Sequence, residues 1–361
     1  MRIALVISSL GAGGAQRVLS VLANLWVNHG HAVNIITFSD TDCTPFYPLD
    51  PRVKLNQLNQ RGHQKKMLVM RLITILKRMS LLRKTIQALK SEVVVSFVDV
   101  MNIETLLATL GLGIPVIVSE RTHPKYYKLP KLYQLVRRWI YPTSQQVVVQ
   151  TLSVAHYFNF LKNIKVIPNP VLIPKHTKQT NADQVKTLVS VGRLDPNKGF
   201  DTLIHAFVAL LKRYSQLELV IYGEGLESAR LNTLVTSLKL TDKVRFPGNV
   251  TNIHEALTKA DLFIFPSLYE GFPNALCEAM AVGLPVIASN CSGNIDIVQE
   301  GINGRFFPVG NTTALIQIMD ELINDANQRH RLSENAREIT KHFSVERVLG
   351  MWNEVLLSVK S

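Results

Sequence analysis

The stretch LFIFPSLYEGFPNALCEAMAVGLPVIAS, residues 262–289, sets the frame for the whole chain. It opens on an apolar run, LFIFPS (262–267), and closes on another, PVIAS (285–289). Between them, Pro273 and the apolar residues after it place a helix start near Asn274. Strand, loop, helix and strand in that order make one unit of a parallel sheet. The two runs are continuous rather than alternating, as strands covered on both faces are.

The same pattern extends in both directions. Upstream lie RIALVIS (2–8), AVNIITF (32–38), VVVSFV (93–98), PVIVSE (115–120), QVVVQT (146–151) and KVIPN (165–169). TLVSVGR (187–193), LELVIYG (217–223) and VRFPG (244–248) follow before residue 262. Strands alternating with helical stretches give an α/β protein with doubly wound, Rossmann-like sheets. The pattern runs once to about residue 169 and restarts near Thr187. The expected organisation is a first Rossmann-like domain over 1–170, a polar, Pro-punctuated linker over 171–186, a second such domain over 187–343, and a C-terminal helix over 344–361 capped by Ser344. Two sheets joined by one linker leave an interdomain cleft, and ligands of such sheets bind beyond the carboxyl ends of the strands.

Composition excludes several classes. At 361 residues, 47% hydrophobic and 19% charged, the chain is neither disordered nor a single small core. It has no apolar run long enough to span a bilayer, and MRIALVISSL reads as a strand rather than a signal peptide, so a cytoplasmic location is expected. Cys43, Cys277 and Cys291 lie far apart and outside any metal-binding spacing. The net charge of +13 is lopsided: residues 1–180 carry 23 Lys/Arg against 7 Asp/Glu, and the rest 17 against 20. The first half therefore faces a polyanion, either an anionic lipid surface or nucleic acid.

Three loops carry chemistry. Gly11, Gly13 and Gly14 lead into a helix whose free N–H groups favour phosphate. The loop is not G-x-G-x-x-G, and no acid follows the second strand in a ribose-binding role, so a nicotinamide enzyme is disfavoured. In VGRLDPNKGF, Arg193 and Lys198 flank a turn where two cations neutralise a diphosphate leaving group. In the opening stretch, Glu270 and Glu278 bracket Gly271-Phe272-Pro273-Asn274; carboxylates there accept hydrogen bonds from sugar hydroxyls. Each loop also has a plainer reading as packing or solvated charge. Asp40-Thr41-Asp42 has the spelling of an Asp-x-Asp metal motif but reads as turn chemistry.

Glu270 through Glu278 resembles the Glu–seven residues–Glu signature of the retaining, family-4 glycosyltransferases of GT-B fold. GAGGAQRV, GRLDPNKGFDTLI, IYGEG, FPGNV and EGINGRFF follow in that family's order, over nearly the whole chain. The resemblance implies a metal-independent transfer from a nucleotide sugar with retention of anomeric configuration. It implies that Arg193 and Lys198 hold the donor diphosphate, Glu278 the ribose and Glu270 the transferred sugar. Backbone from Gly271 and Phe272 through Pro273, Asn274, Ala275 and Leu276, with Gly13 and Gly14, would contact phosphate or sugar. Gly223, Glu224, Gly225, Asn249 and Val250 would lie beside the nucleoside. SFVDVMNIETLLA and IPVIVSERTHPKYYKLPKLYQLVRRWIYP are similar to the subset that extends lipid-diphosphate-linked glycans in bacteria, including N-acetylgalactosaminyltransferases. UDP is the donor nucleotide that this subset implies. Some relatives carry His directly after the Glu of this strand, near the sugar; here Arg121 stands there, expected on the acceptor side. His123, two residues on in a loop, is the candidate catalytic histidine, a solvated loop His being the plainer reading. Gln16 and SGNID (292–296) also depart from the family's pattern.

Residues 64–90 contain no acid, Gly or Pro. On a helical wheel Lys66, Lys77 and Lys84 share one face and Arg71 and Arg78 a neighbouring one. Leu68, Leu72, Ile75, Leu76, Met79, Leu82 and Ile86 lie opposite. Such a helix lies in anionic headgroups or grips an acceptor diphosphate; a core helix with a solvated basic face is the plainer alternative. The expected partners are thus a nucleotide sugar, a lipid-linked glycan (a lipopolysaccharide, capsule or N-glycan precursor) and the inner face of the plasma membrane. The competing readings are a sugar-nucleotide epimerase or hydrolase of the same fold, a nucleic-acid-binding protein, and a catalytically dead partner subunit. The basic stretch lacks the interleaved aromatics of a nucleic-acid binder, and a dead subunit would have lost Glu270, Arg193 or Lys198.

Overall fold

The computed structural model describes residues 1–39, 44–59, 68–178 and 184–359. It divides into two compact units, Met1–Asn169 with Val348–Ser361, and Pro170–Arg347.

The first unit holds strands β1 (Arg2–Val6), β2 (Ala32–Thr37), β3 (Lys54–Gln57), β4 (Val93–Phe97), β5 (Val116–Ser119), β6 (Gln146–Val149) and β7 (Ile164–Val166). Its helices are α1 (Gly14–Asn28), α2 (Leu68–Ala88), α3 (Asp99–Thr109), α4 (Lys131–Ile140) and α5 (Leu152–Tyr157). The strands form one parallel sheet in the order β3-β2-β1-β4-β5-β6-β7. Side chains alternate between its faces: Ile3, Leu5, Val93 and Val95 enter one core, Ala4, Val6, Val94 and Val118 the other.

The second unit holds β8 (Thr187–Val191), β9 (Glu218–Tyr222), β10 (Val244–Gly248), β11 (Leu262–Phe265), β12 (Val286–Ser289) and β13 (Arg305–Phe307). Between and after them run α6 (Phe200–Leu211), α7 (Ser228–Ser237), α8 (Ile253–Thr258), α9 (Asn274–Val282), α10 (Thr312–Asn324), α11 (Ala326–Ala336) and α12 (Ile339–His342). The sheet order is β10-β9-β8-β11-β12-β13. In both sheets the winding reverses beside the first strand, at β1/β4 and β8/β11, and the carboxyl ends there diverge to leave room for a ligand.

Every strand read from the sequence is present. Two edge strands, β3 and β13, were not expected: KLNQ is polar and RFF is three residues long, so neither carries an apolar run. The segment expected to be a linker is held along its described part. Val171 N–H donates to Phe343 O (2.8 Å), Lys178 N–H to Val282 O (2.8 Å), and Lys178 Nζ pairs with Asp261 Oδ1 (2.8 Å). The last helix, α13 (Val345–Ser358), is capped by Ser344, whose Oγ accepts from Arg347 N–H (3.2 Å). Its Val348, Leu349, Trp352, Val355 and Leu356 join the core of the first unit. There Trp352 meets Trp26 edge to face at 5.9 Å.

Helix α2 presents Leu82 and Ile86 to the core, with Met79 packed beside them. Lys77 and Lys84 are exposed. Two residues depart from the helical-wheel expectation. Leu76 is 63% exposed, because the buried arc centres on Ile75, Leu82 and Ile86, about 100° away from it. Arg78 falls about 40° from Leu82, inside that arc. It pairs with Glu104 of α3 at 3.0 Å and covers the Phe38 ring at 4.4 Å, so it serves packing and is turned away from any surface ligand. Lys66 and the side chain of Arg71 lie outside the described residues, as do Asp40, Asp42 and Cys43.

Candidate active site

The second unit assembles a site where β8 and β11 part. After β8, the turn Gly192-Arg193-Leu194 lies directly on the loop after β9. Leu194 N–H donates to Glu224 O (2.9 Å) and Glu227 N–H to Leu194 O (2.8 Å). A Cβ on Gly223 would come within 2.0 Å of Gly192 O, and one on Gly225 within 2.5 Å of Leu194 O. Backbone packs on backbone here, and Gly223 also takes φ 133°, so only glycine fits. From the next strand, Gly248 O accepts from Gly223 N–H (2.9 Å), and Asn249 Nδ2 donates to Glu224 Oε2 (3.1 Å). Val250 follows, partly buried.

Lys198 and Glu270, 72 positions apart in sequence, meet in this site. Lys198 Nζ stands 2.5 Å from Glu270 Oε1 and 5.3 Å from the centre of the Phe265 ring. Both side chains are largely buried, and each offsets the other's loss of solvent. The sequence reading gave these residues separate roles and did not see the pair. Arg193, largely exposed, pairs with Asp195 at 2.7 Å. The Glu270 loop is fixed from below: Glu270 N–H donates to Ser292 O (3.1 Å), and Gly293 fits so closely that a Cβ would meet Glu270 Cβ at 2.9 Å. The unusual SGNID turn is tied down by Asn294, whose buried amide donates to Ser289 O (3.0 Å). Asn294 thus supports the loop from beneath.

Gly271 and Pro273 lead into α9, which has no side-chain cap and no acid in its first turn, leaving its N-terminal N–H groups open to an anion. Phe272 and Leu276 are core residues, Phe272 edge to face with Phe343 at 5.7 Å. Asn274 and Ala275 are half-buried at the helix entrance, and Glu278 is buried one turn in. From Phe272 to Leu276 the backbone, not the side chains, is what a ligand would meet. Cys277 and Cys291 are buried, and burial pushes both thiols up, Cys291 to about 11, so neither is a nucleophile at neutral pH.

The first unit gathers a different set at the ends of β4 to β6. Gly13 and Gly14 open α1, with no side-chain cap and no acid in its first turn. Arg17, three residues in, is mostly buried and lowered by that burial; the sequence reading missed it. Val98 takes φ 75°, a costly conformation for a β-branched residue, and delivers the buried Asp99 to the start of α3. Glu120 is buried, and desolvation, then the Asp99 charge, raise it to about 7. Tyr141 Oη donates to it. Arg121 is buried as well, lowered to about 9 by desolvation. Its Nη1 donates to Asn169 Oδ1, and the rings of Phe97 (5.1 Å) and Trp352 (5.8 Å) lie against the guanidinium. Nε and Nη2 of Arg121 have no partner among the described residues. His123 is engaged rather than open. Nε2 bonds Ser153 Oγ (3.0 Å), Nδ1 accepts from Lys125 N–H (3.3 Å), and burial lowers its pKa, which keeps it neutral. Among the described residues no three His, Cys, Asp or Glu side chains gather as metal donors.

A seven-stranded and a six-stranded doubly wound sheet in one chain, with a candidate site at the reversal point of the second, are the GT-B arrangement. The chain belongs to the glycosyltransferase family described as Glycosyl transferases group 1, matched over residues 173–339, with the Glycosyl transferase 4-like domain over 13–170. It is 30% identical, over 100% of its length and 99% of the relative's, to a Campylobacter jejuni enzyme named GalNAc-alpha-(1->4)-GalNAc-alpha-(1->3)-diNAcBac-PP-undecaprenol alpha-1,4-N-acetyl-D-galactosaminyltransferase. Among solved structures, it matches sucrose-phosphate synthase of Thermosynechococcus elongatus with TM-score 0.88 at 18% identity, covering 99% of this chain and 98% of that one. Anabaena HepE in complex with UDP matches with TM-score 0.79 at 19% identity, over 99% and 100%.

Proposed function

We propose that this glycosyltransferase moves a sugar, with retention, from a UDP-linked hexose or N-acetylhexosamine to a lipid-linked glycan at an anionic membrane surface. The observation that carries the donor half is the Lys198–Glu270 pair at the β8/β11 reversal. An ammonium held by a buried carboxylate is pre-positioned, and a diphosphate arriving there meets it and Arg193 without reorganising the site. As the bond from the sugar's anomeric carbon to the diphosphate breaks, both cations face the growing negative charge. The acceptor hydroxyl forms the new bond on the same face, and its proton passes to the departing phosphate oxygen. Glu270, once its lysine is shared with phosphate, accepts hydrogen bonds from sugar hydroxyls. Glu278 serves the ribose, and the N–H groups opening α9 serve phosphate.

The acceptor half is supported by three things. The Campylobacter enzyme's name specifies an undecaprenol diphosphate acceptor, the excess of cations lies in the first half, and Arg121 keeps two unfilled donors for an oxygen-rich ligand. Among the described residues no helix is long and apolar enough to cross a membrane, so association with lipid would be peripheral. The test is a nucleotide-release screen over UDP- and GDP-sugars with membrane lipid extract as acceptor. UDP release that requires both the extract and Lys198 is expected; free sugar without acceptor would instead indicate a hydrolase.

A further inference from the structure

The membrane reading was drawn from α2, yet among the described residues of the first unit the most exposed apolar face is on α4. This helix is held by its inward side: Tyr133, Val136 and Ile140 pack on the core, and Arg137 is buried. Its outward side carries Leu132 at 66%, Leu135 at 59% and Trp139 at 81% exposure. At 100° per residue these three fall within an arc of about 60°, centred about 120° from the buried arc. A single exposed leucine means nothing; three large apolar residues in one stripe, with a tryptophan the most exposed, mark a contact surface.

Charge decides the occupant. Lys131 and Arg138 flank the stripe on the helix, and Lys125 and Lys128 stand exposed in the loop before it. The chain has no Asp or Glu from residue 121 to 182. Two copies of this face would repel each other. An anionic bilayer satisfies both features at once, since tryptophan and leucine enter the acyl boundary while lysines and arginines reach the headgroups. We propose that the outward face of α4 seats in the interfacial layer of an anionic membrane, with Leu132, Leu135 and Trp139 inserted and the neighbouring cations on lipid phosphates. The inference rests on the membrane part of the proposed function and names the surface that makes the contact.

The chain supplies its own probe. Of its three tryptophans, Trp26 and Trp352 are fully buried in the core, so a change in emission on adding lipid reports Trp139. The full chain is mixed with vesicles of phosphatidylcholine, alone or with phosphatidylglycerol, some with acyl chains brominated. The expected result is sedimentation with the phosphatidylglycerol vesicles, a blue shift of emission, and quenching by the brominated chains. Leu135→Ser with Trp139→Ser should weaken vesicle binding about tenfold or more. Its melting temperature and its transfer to a water-soluble acceptor should stay unchanged. Sedimentation with unshifted, unquenched emission would overturn the inference and leave membrane association by another surface standing. No sedimentation would overturn both, while transfer to the soluble acceptor would still test the glycosyltransferase chemistry. A blue shift that grows with protein concentration in the absence of lipid, with a dimer in sedimentation velocity, would assign the face to a second copy instead.

Discussion

The two units share a sheet order but build their ligand ends by different means. The second relies on backbone: Gly223 and Gly225 lie against the Gly192–Leu194 turn at distances no side chain tolerates, and one ion pair, Lys198–Glu270, is laid over that frame. The first relies on buried side chains. Asp99, Glu120, Arg121 and Tyr141 are charged or polar groups below the surface, beside a strained Val98. A frame of main chain resists change and suits an invariant ligand such as a diphosphate. A frame of buried ionisable side chains holds only while its members satisfy one another, so it is sensitive to the loss of any one of them.

The two units should respond differently to mutation. The largest loss of stability should come from the first, where Trp352→Ala removes the edge-to-face contact with Trp26 and leaves a cavity under α13. The expected cost is about 3–5 kcal/mol, read by denaturant titration. A cost below about 1 kcal/mol would mean that α13 is not integral to that core. In the second unit Lys198→Ala should reduce turnover by roughly 10²–10³, and it should also cost stability, since it leaves the Glu270 carboxylate buried without its partner. Equal turnover would break the assignment of the site. Gly225→Ala should lower both together, because the methyl group must push the Leu194 backbone aside.

The reason that so much of the second site could be read from sequence is local. Pro273 before an apolar helix, glycines at strand ends and an Arg-x-x-x-x-Lys turn are short-range chemistry. The Lys198–Glu270 contact depends instead on β8 and β11 being neighbours. The doubly wound order implies that adjacency, but no residue near either position declares it. The first unit hid more. Nothing in the sequence marks Glu120 and Arg121 as buried, and Arg78 was grouped with surface cations because it is basic, although its angle on the helix put it with Leu82. Burial of a charge depends on partners such as Glu104 and Asn169, which come from other elements.

Glu120 gives a sharper test of the side-chain frame. In an unfolded chain its carboxyl ionises near 4.5, and in the folded protein near 7. Between those values the native state keeps a proton that the unfolded state has lost, so stability is fullest below pH 4.5 and falls as pH rises towards 7. The loss attributable to this group is about 1–3 kcal/mol. Glu120→Gln cannot ionise, so its stability relative to the parent should climb across that interval. Parallel pH profiles for the two proteins would show that Glu120 is already charged in the fold.

The smallest effect expected is at the surface, and it separates α2 from α4. Lys77 and Lys84 are exposed on α2, and under the proposed membrane association each would add attraction to anionic lipid without entering it. Replacing either with Gln should weaken vesicle binding by roughly fivefold and flatten its dependence on salt. Emission from Trp139 at saturating lipid should not change, because the inserted stripe is untouched. An α4 substitution should do the opposite, reducing insertion while leaving the salt dependence nearly as steep. If the Lys77 and Lys84 variants bind as the parent does at every ionic strength, the basic face of α2 is solvated charge. The proposed attraction for lipid would then have to come from other cations of the first unit, those of residues 125–139 among them.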